Sequence, residues 1–356
     1  MKRPAIDALC QELQDHRVIT AEDLRIAGAD DSAIYRARGG GLLQDLPGID
    51  GIYVVGKEPY GDDVLMHAAA RWAGPGAVIT GIWAARLLKL PWVPVGGTCL
   101  VRIDEAHKRR GSEGFVTVCR TKSMERLQTW EHDGLLIAAA PQAVVDASRQ
   151  LQTDKQTRHA LPTRQLRDVR GLVLGAVAKK RCTTDELDVV VGQGSVRHTA
   201  HIRRALTDAS RGAASPPEAE LVDGLLPYGV PFYCNVEVWV GGVLLGIADV
   251  YLVGTGVGGE LDSKQEHSAK KKLDATLVRD DVFKDARIDL RHITPSRYRA
   301  DPERYHRTLI RTAKRRLEQG LGDPPGLELR PLTPLLCGPP SSDVPYRLPS
   351  SRPAAA

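Results

Sequence analysis

The chain has 356 residues, 42% hydrophobic and 26% charged, with 49 basic against 44 acidic side chains and a formal net charge of +5. This length and balance fit a globular protein with room for two or three cores and exclude a wholly disordered chain. The longest apolar stretch, Gly134 to Val145, is broken by Pro141 and is too short to cross a bilayer. The N-terminus turns acidic before any apolar run builds, which argues against a secretory leader and for a cytoplasmic protein without a membrane partner.

The charge is unevenly spread: residues 1–60 carry seven basic and ten acidic side chains, whereas residues 101–200 carry seventeen and twelve. A mildly basic chain permits nucleic-acid binding without establishing it. The six cysteines, Cys10, Cys99, Cys119, Cys182, Cys234 and Cys337, include no close pair, so they read as reduced, mostly buried thiols rather than zinc ligands or a disulfide framework.

In chain order, Ala5–His16 has the apolar spacing of an amphipathic helix, with Ile6, Leu9 and Leu13 on one face. Thr20 followed by Asp23 resembles a capping box, opening a helix over Ala21–Ala27 that stops at Gly28. Asp30 or Asp31 caps the next helix, Ser32–Arg38, which stops at three glycines. Leu42–Leu46 and Ile52–Val55 then read as two strands around a turn. Helix, helix, short turn, helix, β-ribbon is the order of a winged helix-turn-helix, in which the exposed second helix of the pair enters the major groove. Its candidate contacts are Ser32, Tyr35, Arg36 and Arg38, because arginine pairs with guanine edges or neutralises phosphate. A three-helix protein-interaction module would show the same pattern.

Residues 59–150 read as a small α/β unit, with helices at Val64–Trp72, Ile82–Leu88 and Ala143–Leu151, strands at Thr98–Asp104 and Gly114–Arg120, and a basic loop at Lys108-Arg109-Arg110. Residues 151–212 read as a helical, basic linker region, with a helix starting at Thr183. Residues 213–319 begin with a proline-started helix, Glu218–Leu226, followed by strands at Phe232–Val238, Val243–Val253 and Gly259–Asp262. A helix near His267–Asp274, a strand Ala286–His292 and a helix Pro302–Leu317 with one strongly basic face complete the segment. Residues 320–356 are rich in proline, glycine and serine and are expected to be disordered or loosely packed, with a run at Leu329–Leu336 able to dock.

The chemistry concentrates in residues 213–319. Asp249 sits inside an apolar strand, where a lone carboxylate is costly unless paired, hydrogen-bonded or bound to metal. Glu260 and Asp262 are two apart and would share a strand face, and Asp249 could join them if the strands are neighbours. Three such carboxylates repel unless a cation sits among them, and oxygen donors suit Mg²⁺ or Mn²⁺. Such an ion activates water for phosphodiester cleavage, with His267 as general base or phosphate contact and Glu220 closing the shell from the helix.

The order of a helix with Glu220, a hairpin, Asp249, and then Glu260-Leu261-Asp262-Ser263 with His267 resembles the restriction-endonuclease-like (PD-(D/E)XK) superfamily, in the branch grouped with very-short-patch-repair endonucleases. The resemblance implies catalytic roles for Glu220, Asp249, Glu260, Asp262 and His267, with metal on Asp249, Glu260 and Asp262. Glu218 competes for the helix position. The superfamily's usual lysine, two residues after the second acid, is replaced by Asp262, and the nearest lysine is Lys264.

A second resemblance covers residues 5–150. Ile19-Thr20 with Leu24, Gly28, Ile34 with Arg38 and Gly40, Gly51-Ile52-Tyr53, Gly81–Leu88 and Ala140–Ala147 look like the N-terminal region of AbiEi-type antitoxins, which repress their own operon by binding DNA. Together these readings give a multi-domain α/β fold: a winged helix-turn-helix over 1–58, an antitoxin-like α/β domain over 59–150, a helical linker region over 151–212, a restriction-endonuclease-like domain over 213–319 and a tail over 320–356. The function expected is a transcriptional regulator, an antitoxin-like or phage-type repressor that uses the nuclease-like domain for DNA binding. The alternative is a Mg²⁺-dependent DNA endonuclease targeted by the winged helix. Double-stranded DNA is the expected partner, with a homodimer and a cognate toxin as further ones. A pure protein-interaction module is the third reading.

Overall fold

The structure, a computed structural model, describes residues 6–107, 111–155, 157, 161–261, 279–333 and 336–338. It is a mixed α/β protein with three sheets, dividing into two compact units. The first unit runs to Leu172 and takes in Lys179–Thr199; the second holds Val173–Ala178 and the chain from Ala200 onward. Among the described residues, no helix is long and apolar enough to cross a membrane.

The first unit opens with α1 (Ile6–Leu13), β1 (Val18–Thr20), α2 (Ala21–Ile26), α3 (Asp31–Gly39), β2 (Leu43–Leu46) and β3 (Ile49–Val55). The strands form an antiparallel sheet in the order β1-β3-β2, with Ile19 opposite Tyr53 and Gln44 opposite Val54. Leu9, Cys10, Ile19, Leu24, Ile34, Leu43 and Tyr53 join the helices to this sheet in one core. Strand β1 was not expected: three residues are too few for alternation to be read. It follows a turn in which His16 and Arg17 take φ of 47° and 64°.

Next come α4 (Asp62–Ala73), β4 (Val78–Thr80), α5 (Gly81–Leu87), β5 (Cys99–Asp104), β6 (Ser112–Glu113), β7 (Val116–Thr121), β8 (Thr129–His132), β9 (Leu135–Ala138) and α6 (Ala140–Thr153). These strands form a second sheet in the order β6-β7-β5-β4-β9-β8, with β4/β9 and β5/β7 parallel. Sequence reading anticipated only β5 and β7. The basic loop 108–110 lies outside the described residues. Helices α7 (Pro162–Ala178) and α8 (Thr184–Gln193) follow, the latter opened by a complete Thr183–Glu186 capping box.

Two contacts position the first unit's surfaces. Gly48, in the β2–β3 turn, and Gly114, before β7, have φ of 68° and 54°. Their backbones meet so closely that a Cβ on Gly48 would lie 2.7 Å from Gly114 Cα, so the tip of the β2–β3 ribbon is pinned against the second sheet. Asp146 on α6, 3% exposed, accepts from Thr80 Oγ1 at 2.8 Å and from Arg102 Nε and Nη2 at 2.7 and 2.6 Å.

The second unit contains α9 (Ala200–Ser210), α10 (Pro216–Leu225), β10 (Phe232–Val240), β11 (Val243–Leu252), β12 (Val257–Leu261), α11 (described over 279–285), β13 (Asp289–Ile293), α12 (Pro295–Ala300), α13 (Pro302–Glu318) and β14 (Leu327–Pro331). The sheet order is β13-β12-β11-β10-β14, antiparallel except for β12/β13. Residues of α10, α12 and α13 pack with Phe232, Cys234, Val250 and Leu252 in one core. Phe283 of α11 and Ile288 pack with Val236, Val238, Ala248 and Tyr251 in another.

The expectation of a loose tail from residue 320 fails over its first part. Asp323 accepts from the buried Tyr251 hydroxyl at 2.9 Å and from the backbone N–H groups of Gly254 and Gly256 at 2.7 and 2.8 Å. Leu327–Pro331 then adds a strand to the edge of β10. Backbone pairing and one triply hydrogen-bonded carboxylate hold this segment, so its low apolar content was a poor guide. All six cysteines are free, five of them buried.

Candidate functional site

Two surfaces follow from the sequence expectations, one in each unit. In the first, α2 begins with a complete capping box: Asp23 N donates to Thr20 Oγ1 at 2.9 Å and Thr20 N donates to Asp23 Oδ2 at 3.1 Å. Asp30 caps α3, accepting from Ala33 N at 2.7 Å. Ile34 and Ala37 turn into the core, which leaves Ser32, Tyr35 and Arg36 exposed on the outer face of α3. Tyr35 is 73% exposed, an aromatic ring standing in water with no side-chain partner among the described residues. Isolated exposed aromatics of this kind mark contact surfaces more than a scattered Leu or Val does.

Arg38, the fourth predicted contact, is placed differently. Its Nη2 donates to Asp45 Oδ2 on β2 at 2.8 Å, and its guanidinium stands 5.6 Å from the Tyr53 ring centroid. It braces α3 against the ribbon, so the outward-facing set is Ser32, Tyr35 and Arg36.

In the second unit, β11 and β12 are neighbours, with Val250 opposite Gly259, which brings Asp249 opposite Glu260. Asp249 Oδ2 accepts from Leu261 N at 2.6 Å. Glu260 Oε2 forms an ion pair with Arg279 and lies 3.9 Å from His292 Nδ1, while His292 Nε2 lies 2.7 Å from Asp280 Oδ1. Tyr305 supports this corner: its hydroxyl accepts from Glu260 N at 3.1 Å and donates to Arg291 O at 2.5 Å. Asp262 and His267 lie outside the described residues, as do Lys264 and the expected helix near His267–Asp274.

The helix acids separate clearly. Glu218 accepts from Ala214 N at 2.8 Å, from Ser215 Oγ at 2.6 Å and from Asn235 Nδ2 at 2.5 Å, so it closes the N-terminus of its own helix. Burial, then the charges of Glu218 and Asp249, push the Cys234 thiol well above its usual range, which sets both carboxylates near one buried sulfur. Glu220 is half-buried further along α10.

Asn235 lies opposite Asp249, between the pairs Cys234–Val250 and Val236–Ala248. Those two pairs belong to different cores, so both strands switch faces at this level. Asn235 has φ of 46°, a left-handed conformation uncommon for a non-glycine residue.

Sequence reasoning missed Arg279, Asp280, His292 and Asn235. The parallel pairing of β12 with β13 sets Glu260 beside His292, contacts from α11 bring in Arg279 and Asp280, and the β10–β11 register places Asn235; no local spacing signals any of these. Chemically, the described corner is a carboxylate balanced by a guanidinium and joined to a His–Asp pair. A divalent ion bound there would have to displace Arg279 from Glu260 and the Leu261 N–H from Asp249. Thus these two carboxylates, as arranged, do not form an open oxygen cage. Among the described residues, the donors that converge within 4.8 Å are instead His16, His67 and Asp133 in the first unit.

No protein-family model and no curated protein matches the sequence. Among solved structures, the chain is similar to the RV2827C protein from Mycobacterium tuberculosis, with 19% identity and a TM-score of 0.41 over 60% of this chain and 78% of that one.

Proposed function

We propose that this chain is a double-stranded-DNA-binding regulator, an antitoxin-like or phage-type repressor. Residues 1–58 act as a winged helix-turn-helix and α3 is its reading helix. The observation that carries this is the outer face of α3: a capped helix, braced by Arg38, presenting Ser32, Tyr35 and Arg36 to solvent. The order of α1, β1, α2, α3 and the β2–β3 ribbon, with the sheet β1-β3-β2, supports the same reading. Because the ribbon tip is pinned by Gly114, reading falls to the helix rather than to the wing. A homodimer would double the contacted bases, and a cognate toxin would be a second, protein partner.

The restriction-endonuclease-like domain over 213–319 serves in this reading as a second DNA surface. Arg304, Arg307, Arg311 and Arg315 recur at helical spacing along the exposed side of α13. None has a carboxylate partner among the described residues. Such a stripe suits phosphates. Changing all four to alanine should reduce the slope of log affinity against log salt by about 3–4, since each phosphate contact contributes about 0.9. Titrations at several salt concentrations check this; an unchanged slope would remove α13 from the interface.

Selection from a random duplex library tests the main reading. The wild type should enrich one motif, and the Tyr35→Ala/Arg36→Ala variant should not. Retention of no DNA even at low salt would instead favour a protein partner, because non-specific binding is visible there.

A second reading, a Mg²⁺-dependent endonuclease, is favoured by one observation: Asp249 and Glu260 face each other on adjacent strands that follow α10 and precede α11 and β13. If it holds, supercoiled plasmid is nicked with Mg²⁺ or Mn²⁺, not with EDTA, and not by Asp249→Ala. Intact plasmid under every condition, alongside a metal-independent gel shift, leaves the regulator reading alone.

A further inference from the structure

Three residues far apart in sequence meet in the first unit. His16 lies in the turn between α1 and β1, His67 on α4, and Asp133 in the turn between β8 and β9. The two imidazole rings stack with centroids 3.7 Å apart and planes 9° from parallel. Asp133 Oδ2 lies 3.3 Å from His16 Nδ1 and 3.4 Å from His67 Nε2. Rings stacked face to face carry their in-plane lone pairs side by side, so the nitrogens do not converge on one metal ion. What such a pair takes up is a proton from solvent.

The two rings differ in what they offer a proton. Both nitrogens of His16 face carboxylate oxygens, since Asp15 Oδ1 lies 3.5 Å from its Nε2. An imidazolium there has an acceptor for each N–H. His67 is 8% exposed. Burial, then the charge of His16, lower its pKa from the ordinary 6.5, and Asp133 and Asp15 offset this only in part. The neighbouring cations are engaged elsewhere. Arg71, one turn along α4 from His67, donates to Asp23 Oδ2 at 2.9 Å. Arg17 donates to the carbonyls of Val55, Glu58 and Pro59 at 3.2, 2.8 and 3.1 Å. Asp133 is thus the one carboxylate that reaches both rings, and it balances one positive ring but not two. Like charges in stacked contact at a half-buried site repel strongly.

We propose that this stack is a proton-operated clasp: it stays closed with neither ring or one ring charged, and opens when both are, releasing the α1–β1 turn from α4 and the β8–β9 turn. The closed state resists a second proton that the open state accepts. The clasp is therefore secure above pH 6.5 and loosens as the pH falls below it. His16 and Asp133 take φ of 47° and 50°, left-handed conformations that non-glycine residues keep at a cost, so opening also relieves the two turns. The α1–β1 turn leads straight into β1, so the clasp fastens the first sheet's module to α4 and the second sheet. This role does not depend on DNA binding or nuclease activity.

Hydrogen–deuterium exchange of the full chain at about pH 7 and pH 5, corrected for the intrinsic pH dependence of exchange, tests the clasp. Amides of the α1–β1 turn should exchange about tenfold faster or more at the lower pH, the factor that one pKa unit supplies. Strand β5 should keep its protection, which shows that the unit stays folded. His16→Phe keeps a ring in the stack that takes no proton, and should abolish the acceleration. Asp133→Asn removes the balancing charge, and should move opening to higher pH. Protection of β5 verifies that each variant is folded; should His16→Phe unfold, Asp133→Asn, at a position 56% exposed and tolerant of the left-handed turn, still decides. The proposal is overturned by no acceleration in the wild type, or by simultaneous loss of β5 protection, which would mean general unfolding. Equal acceleration in folded His16→Phe, or an opening pH not raised in folded Asp133→Asn, would overturn it as well.

Discussion

Replacing Arg102 by alanine should lower the unfolding free energy of the first unit by about 3–5 kcal/mol, the cost of stranding one partner of a buried ion pair. Asp146 is 4% exposed at its side chain and Arg102 12%, and the two meet through a bidentate contact at 2.7 and 2.6 Å. Thr80 Oγ1 and Gln142 Nε2 donate to the same carboxylate at 2.8 and 3.0 Å but cannot neutralise it. The pair links α6 to β4 and β5, so its loss should unsettle the whole six-stranded sheet. Urea unfolding followed by tryptophan fluorescence measures the change. Arg102→Met combined with Asp146→Leu should recover more than half of it, because replacing both charges removes the desolvated carboxylate. A loss below about 1 kcal/mol, the value of an exposed pair, would mean that water reaches Asp146.

The second large effect is a loss of stability in acid centred on His306. This ring, 6% exposed on α13, accepts or shares a proton with the Tyr298 hydroxyl at 2.9 Å. It also fills the notch left by Gly224, where a Cβ would lie 1.8 Å from the imidazole. Burial lowers its pKa from 6.5 to about 4. The folded state therefore resists a proton that the unfolded chain accepts. The stabilising contribution is complete above pH 6.5 and is lost as pH falls towards 4. A shift of this size corresponds to roughly 3 kcal/mol. Burial also lowers the His67 pKa, which adds a loss of the same sign in the first unit. Unfolding curves at successive pH values should show the decline, and His306→Gln should flatten the part belonging to the second unit. A stability flat between pH 6.5 and 4 would contradict burial of the neutral ring.

What could be read from the sequence was what local chemistry controls. Thr20 with Asp23, Asp30, Thr183 with Glu186, and Ser215 before two prolines all mark helix starts seen in the structure, because a cap is a contact between residues a few positions apart. The strands Phe232–Val238 and Val243–Val253 were legible for the same reason, since they pair as a hairpin across a short turn. Short strands such as Val78–Thr80 and Leu135–Ala138 were not, since their pairing partners lie elsewhere in the chain. The candidate sites divide along this line. Exposure of Ser32, Tyr35 and Arg36 follows from helical periodicity, whereas the engagement of Arg38 with Asp45 needs the ribbon's position. The adjacency of Asp249 and Glu260 was foreseeable as a hairpin-like neighbour. The Arg279 and His292 contacts to Glu260, and the meeting of His16, His67 and Asp133, depend on tertiary pairing that no local spacing encodes.

Whether α3 reads DNA, as proposed, is tested most directly by a fluorescence-anisotropy titration. The duplex enriched by the wild-type chain would be compared with a scrambled duplex, for the wild type and for Tyr35→Ala and Arg36→Ala separately. Each substitution should weaken binding to the enriched duplex by about 1–3 kcal/mol, roughly ten- to a hundredfold, and leave the scrambled duplex nearly unaffected. Equal affinity of all three proteins for the enriched duplex would contradict the assignment and move recognition away from α3.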